Sequence, residues 1–265
     1  MRVALPRWVW MPCCILAGTA GQPALAEDRQ RPDLPPEPPT EWRWSLGTQL
    51  KLNDLGQASL HPMIGFRYGR WRSGAVDGES WHRFGQVKTD NTLTYDLLPS
   101  DHWRTSLSAG IVNMQRDSNF DALLPGRKTL RGRATIDYLG WPHWSVGLSL
   151  NQDMLGRGAG TSVSPSLTYR QPLSQDSTIL LTHTFTWTRS DLWRYKPDLD
   201  PAIDPNQPSH WGRTMDTSLT LRQRWRPHWS WFAQLGRSQI LRAGDPLAQP
   251  GTHWAGQMGI VYFER

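Results

Sequence analysis

Cysteine is almost missing from this chain: its two copies, Cys13 and Cys14, are adjacent and fall within the first 26 residues. That segment reads as a cleaved leader, so the mature chain is expected to hold no disulfide framework, no thiolate metal site and no thiol nucleophile. Long hydrophobic runs are missing too. The apolar stretch from Trp8 to Ala20 is short and broken by proline, which excludes a stable helical membrane span. No basic tract of the kind that binds nucleic acid occurs, because the arginines are spread along the chain at alternate positions. Sustained helical periodicity is absent as well, and no internal linker argues for a second domain.

The beginning of the chain suggests a compartment. "MRVALPRWVWMPCCILAGTAGQPALA" carries Arg2 and Arg7, an apolar core and an Ala24-Leu25-Ala26 cleavage site, the pattern of a secretory signal peptide over residues 1–26. Its removal takes Arg2, Arg7 and no acid, so the formal net charge falls from +6 to +4. Residues 27–41, "EDRQRPDLPPEPPTE", are rich in proline and mixed charge and are expected to form an extended, solvated leader.

From residue 42 to 265 alternation is nearly continuous. "WSLGTQLKL" places Trp44, Leu46, Thr48, Leu50 and Leu52 on one face. "TILLTHTFTW" sets Ile179, Leu181, His183, Phe185 and Trp187 against a row of threonines, and "MDTSLTLRQRW" sets Met215, Leu219, Leu221 and Trp225 against Asp216, Ser218, Thr220, Arg222 and Arg224. Runs of about ten residues at ~3.3 Å each, tilted by about 40°, span roughly 25 Å, the height of an outer-membrane apolar band. Sandwich strands are usually about half that length. Short turns at 99–102, 140–143, 171–177 and 226–228 alternate with long connections at 113–129, 152–161, 189–213 and 239–252. Short periplasmic turns opposite long outer loops are the barrel pattern.

The fold class expected is therefore all-β, a transmembrane antiparallel up-and-down barrel in the outer membrane. Strands fall near 42–52, 60–69, 70–86, 91–98, 102–112, 129–139, 144–151, 162–170, 177–188, 214–225, 229–239 and 253–263. That makes about twelve, with ten and fourteen as alternatives because the third alternates poorly. "PHWS" occurs at Pro142 and again at Pro227, and "PSDHW" begins at Pro99. Each reads as a tight turn followed by a strand whose first residue is Trp. Trp103, Trp144 and Trp229 then begin strands at the periplasmic rim, while Tyr138, Tyr169, Trp225 and Tyr262 end strands there, an aromatic girdle at the headgroup level.

The passage "SLTLRQRWRPHWSWFAQLGRSQILRAGDPLAQPGTHWAGQMGIVYF" resembles the end of the MipA/OmpV family of outer-membrane proteins, the MltA-interacting protein family. Pro227, His228, Trp229 and Ser230 match its S-P-H-W-S turn; Leu241, Gly244 and Asp245 match its small loop; Gly256, Gly259 and Tyr262 match its glycine-rich last strand. "GRGAGTSVSPSLTYRQPLSQDSTI" and "LHPMIGFRYGRW" resemble its middle hairpin and an earlier segment. The chain departs at its end, "VYFER", where Glu264 stands in place of the family's terminal Phe. The resemblance implies a non-catalytic scaffold in envelope organisation, holding a lytic transglycosylase and a penicillin-binding protein, without a cofactor. A small passive anion-preferring channel and a barrel lipid hydrolase are the alternatives.

Candidate sites follow from the same alternation. A docking rim on the periplasmic side would centre on Pro142, His143, Pro227 and His228. The polar faces carry Arg131, Arg133, Asp137, Asp216, Arg222 and Arg224, which would line the lumen together with Lys51, Arg67, Arg104 and Arg170. Long arginines outnumber acids there, so internal ion pairing is expected to be incomplete and the lumen narrow. His143 and Ser145, like His228 and Ser230, have the H-x-S spacing of a hydrolase pair, but repetition at turns without a third member favours a structural role. "DLDPAIDP", Asp198 to Pro205, has carboxylates but no EF-hand spacing and reads as a solvated loop, so no metal is expected.

Overall fold

Strict alternation leaves a strand with one apolar and one polar face, and an antiparallel sheet of such strands has an apolar side that must be covered. Among the described residues no helix covers a face, and the sheet instead closes on itself. A computed structural model describes residues 41–54, 56–74, 92–100, 102–113, 128–191, 208–244 and 251–264. The signal-peptide and leader expectations, most of the third strand expected at 70–86, and the Asp198–Pro205 loop lie outside these residues.

Twelve strands are described: β1 (Trp42–Asn53), β2 (Ala58–Tyr68), β3 (Trp71–Ser73), β4 (Leu93–Pro99), β5 (Trp103–Asn113), β6 (Lys128–Tyr138), β7 (Trp144–Asp153), β8 (Thr161–Pro172), β9 (Ser177–Arg189), β10 (Gly212–Arg226), β11 (Trp229–Arg242) and β12 (Gly251–Phe263). Each pairs with its sequence neighbours, and β1 pairs with β12, giving a closed antiparallel barrel. The even count brings both ends of the barrel chain to the end that carries the short turns. At the seam Ser45 faces Phe263 and Leu52 faces Gly256.

The register fixes the faces. Leu46, Ile64, Leu107, Ile136, Leu148, Leu219, Leu235 and Met258 all lie on the outer side, each 41–61% exposed. Serine, threonine, glutamine and arginine take the inward positions, and Ser45, Gln49, Ser106, Thr129, Thr220 and Arg222 are buried. This is the reverse of a water-soluble protein, in which exposed apolar patches are small and the interior is hydrophobic.

Not every inward residue is polar. Phe232, Val261, Phe263 and Met63 form a buried cluster inside the barrel toward the short-turn end. Phe232 lies opposite Gly259 on β12 and opposite Arg222 on β10. A Cβ at Gly259 would lie 2.7 Å from the Phe232 ring and 2.6 Å from the Thr48 carbonyl, so the missing side chain is what lets the ring lie flat on the wall. Tyr262 faces outward beside Trp229 while Phe263 turns inward.

Candidate functional site: the barrel interior and the short-turn rim

Each short turn ends on a residue that reaches past its own hairpin. The carbonyl of His102, just before β5, accepts the N–H of Leu139 at the end of β6 at 2.6 Å. The carbonyl of His143, before β7, accepts Arg170 N–H at 2.7 Å, and that of His228, before β11, accepts Phe263 N–H at 2.8 Å. Arg70 and Asp176 do the same for Asp96 and Arg224, at 2.9 and 2.8 Å. A turn closing one hairpin is therefore tied to the far strand of the next hairpin.

Side chains reinforce these ties. Nδ1–H of His143 donates to the Arg170 carbonyl at 3.0 Å, and Nδ1–H of His228 donates to the Phe263 carbonyl at 3.0 Å. The proton is on Nδ1 because a carbonyl can only accept. Arg224 Nε and an Asp176 carboxylate oxygen pair at 2.9 Å. The tryptophan after each histidine meets the tyrosine before each tied residue: Trp103 with Tyr138 and Trp144 with Tyr169 at 4.8 Å between ring centroids, Trp229 with Tyr262 at 5.3 Å. The His228 ring also stacks on Tyr262, at 5.7 Å and 24°. The recurrence of P-H-W thus has a geometric cause: proline and histidine shape the turn, histidine ties it to the next hairpin, and tryptophan packs on that hairpin's tyrosine.

Trp42 with Tyr68 and Trp71 with Tyr95 extend the ring of outward aromatics around the same end. Trp225 stands exposed beside the bulge at Arg224/Arg226. Pro142, His143 and Pro227 are exposed at this rim, and His228 is half-buried. Both histidines of the H-x-S pairs are engaged by main-chain carbonyls. Each stands in the turn before its strand, whereas the serine follows the tryptophan inside the strand.

Inside, the structure brings part of the expected lumen set together with Arg72 and Asp96, two residues that sequence reasoning did not single out. Arg72 Nε lies 3.1 Å from both Asp96 oxygens, and Arg104 Nε is 3.9 Å from one of them. One carboxylate thus serves two guanidinium groups, and Arg67 stands opposite Arg72 across the β2–β3 pair. Arg133 donates to Asn151 at 2.6 Å, and Arg131 lies opposite Asp153. Asp137 and Asp216 hold inward positions, opposite Arg104 and Ser238. Arg222 is fully buried in the wall opposite Phe232, and Arg224 turns to the rim. Hydroxyl pairs bridge neighbouring strands at Ser106 and Thr135 (2.6 Å), Ser164 and Thr186 (3.0 Å), and Thr168 and Thr182 (3.0 Å).

Asp153 was not singled out by sequence reasoning. Its buried carboxylate accepts the Thr129 hydroxyl and the N–H groups of Leu155, Arg157 and Ala159, at 3.1, 2.7 and 3.0 Å for the last three. These bonds fold the β7–β8 loop inward over the carboxylate. Gly160 closes the loop at φ 66, where an added Cβ would lie 1.7 Å from the Arg189 carbonyl. An aspartate ahead of "GRGAG" was the available signal, since a carboxylate beside glycines is well suited to collecting backbone N–H groups. Among the described residues no group of His, Cys, Asp and Glu could hold a metal ion.

No family model matches the chain, and no curated protein matches it in sequence. Solved structures with a similar fold are outer-membrane barrels. An outer membrane channel from Pseudomonas putida F1 superposes with a TM-score of 0.48 at 13% identity, covering 88% of this chain and 99% of that chain. OmpT of Vibrio cholerae gives 0.41 at 8% identity, over 84% and 97%. The NanC porin gives 0.40 at 10% identity, over 85% and 100%.

Proposed function

We propose that this chain is a non-catalytic outer-membrane barrel with a narrow, anion-preferring passage along one half of its interior. The observation that carries the reading is the pairing of an apolar, exposed outer wall with an inner wall of hydroxyls and arginines. An outer face of leucine, isoleucine and methionine is stable against hydrocarbon, and tryptophan–tyrosine pairs around one end suit the headgroup level. The inward positions of β7 and β8 hold Ser145, Ser149, Asn151, Ser162, Ser164, Ser166 and Thr168, all half-buried, which leaves room on that side. Arg72, Arg104, Arg131 and Arg133 outweigh Asp96, Asp137 and Asp153 nearby, and guanidinium groups attract anions into a passage.

Refolded protein in a planar bilayer is expected to give a small conductance whose reversal potential under a salt gradient favours the anion. Arg104→Ser combined with Arg133→Ser should shift that potential toward neutrality. Absence of any conductance in a correctly folded barrel would reject the passage.

A second reading, an adaptor for peptidoglycan-remodelling enzymes, draws on the MipA/OmpV resemblance and on the exposure of Trp141, Pro142, His143, Arg226 and Pro227 at the rim. Replacing Pro142-His143 and Pro227-His228 by Asn-Gly should then reduce capture of a lytic transglycosylase and a penicillin-binding protein from envelope extracts. Unchanged capture would reject the rim as the docking face.

A further inference from the structure

The outer wall is not smooth. Across β10, β11, β12 and β1 it sinks into an open apolar groove of about 300 Å³. Ala233 and Gly256 form its floor, and Leu52, Leu219, Leu221 and Met258 stand around it. The register explains the depression: Ala233 lies between Leu221 and Met258, and Gly256 lies between Leu235 and Leu52. Small residues on two adjacent strands thus lower the wall between rows of larger ones.

Toward the long-loop end the same outer face changes character. Two residues beyond Leu235 comes Arg237, and two before Gly256 comes Trp254; the guanidinium carbon of Arg237 lies 6.0 Å from the Trp254 ring centroid. Further along, Arg213 faces Arg242 across the β10–β11 pair. Arg213, Arg237 and Arg242 are all exposed. Among the described residues of β10, β11 and β12 the acid is Asp216, which holds an inward position. Nearby Asp54 is engaged by His253 at 2.9 Å.

An apolar groove with one exposed arginine at its edge and an arginine pair four to five residues farther along the same wall matches an amphiphile, an acyl chain below a headgroup with two phosphates. We propose that this wall seats a lipid of the outer leaflet that carries two phosphates, with one acyl chain over Ala233 and Gly256, one headgroup phosphate on Arg237 and the other on the Arg213–Arg242 pair, about 13 Å farther along the strands. The inference rests on the reading that the barrel spans the outer membrane with its long loops outward. A second copy of the chain fits this wall poorly. Two barrels in one membrane share their orientation, so a two-fold contact here would bring arginine against arginine. Trp254 adds an indole at the depth where ring and headgroup meet.

The test uses the refolded full-length mature chain, native mass spectrometry and lipid A carrying two phosphates as the probe. One adduct should survive delipidating detergent. Charge reversal at Arg237→Glu with Arg213→Glu should lower retention about tenfold or more. Gly256→Leu should lower it as well, and this variant is sterically tolerable because a Cβ there meets nothing closer than 3.9 Å. Dephosphorylated lipid A should not be retained, and inorganic phosphate should not displace the adduct, since it lacks the chain. Equal retention of dephosphorylated lipid A, equal retention by the charge-reversed protein, or a dimer that Gly256→Leu abolishes with lipid binding intact would each overturn the site. Heat-modifiable migration and vesicle insertion are measured on every sample. Failure of the wild-type chain to insert brings down the membrane reading and the site together, whereas insertion without arginine-dependent retention brings down the site alone.

Discussion

Along β9 to β12, β1 and β2 the inward side chains include large, sealed ones: Phe232, Val261 and Arg222 are fully buried, and Leu180, Phe263 and Met63 nearly so. Along β6 to β8 most of the corresponding positions hold polar side chains that stay half-buried, with Thr129 and Asp153 sealed together where the β7–β8 loop folds over them. Both halves share the same outer skin of leucine and the same tryptophan–tyrosine rim. The difference shows that strand alternation sets which way a side chain points, while side-chain volume on facing strands decides whether the interior there is packed or open. One half acts as a hydrophobic wedge that braces the barrel, and the other leaves the space in which solutes are proposed to move.

The largest expected break in this comparison comes from the wedge. Phe232→Ala removes the ring that lies on Gly259 and should lower unfolding stability in detergent by ~3–5 kcal/mol. Thr168→Ala, on the open half, loses a single hydroxyl contact with Thr182 and should cost ~0.5–1.5 kcal/mol. Equal costs in urea titrations would show the two halves to be equally packed. Next comes the outer skin. Leu219→Arg near mid-membrane should destabilise the bilayer-inserted barrel by ~2–4 kcal/mol, against little for Ser164→Arg in the open half. Thr220, although inward, is the wrong control for this pair: it is 4% exposed, and an arginine there would overpack the sealed half at a cost of ~1–3 kcal/mol. The smallest effect belongs to the rim. His228→Ala and His143→Ala each remove one side-chain bond to a carbonyl, about 0.5–1.5 kcal/mol in an intact tie. The loss should be greater at His228, which is half-buried and stacked on Tyr262, than at exposed His143. The reverse order would mean that burial does not govern the strength of the ties.

Most of the fold was legible because a period of two over ten or more residues has few structural solutions. "WSLGTQLKL" and "TILLTHTFTW" carry their faces in plain sight, and the loop-length asymmetry gave the count of strands. The third strand was poorly legible because "RWRSGAVDGESWHRFG" breaks the period after Ser73. The wedge was not legible for a different reason. Phe232 sits at an inward position of β11, and nothing within that strand shows that the residue opposite is a glycine; the partnership with Gly259 exists only once the register is known. The turn ties were half legible: proline and tryptophan marked the rim, but the acceptor for the histidine lies on a strand that is remote in sequence. Asp153 was missed because most of its donors are main-chain N–H groups, whose one mark in the sequence is the glycine-rich "GRGAG" that follows.

The seam between β1 and β12 has a kinetic meaning. Its long-loop end is held by His253 against Asp54, residues separated by 199 positions, and its short-turn end by Glu264 N–H on the Trp44 carbonyl at 3.0 Å. Every other strand pair joins sequence neighbours, so those hairpins can form with little loop closure. The seam alone must bring together the two ends of an otherwise finished sheet, the step with the largest entropic barrier. His228 cannot complete its tie to Phe263 until β12 is in place. The last turn therefore serves as a latch, and a strand that has not yet met its partner leaves an unpaired sheet edge in the membrane, where backbone groups have no water to bond. Closure of that single seam is what separates an assembling intermediate from a finished barrel.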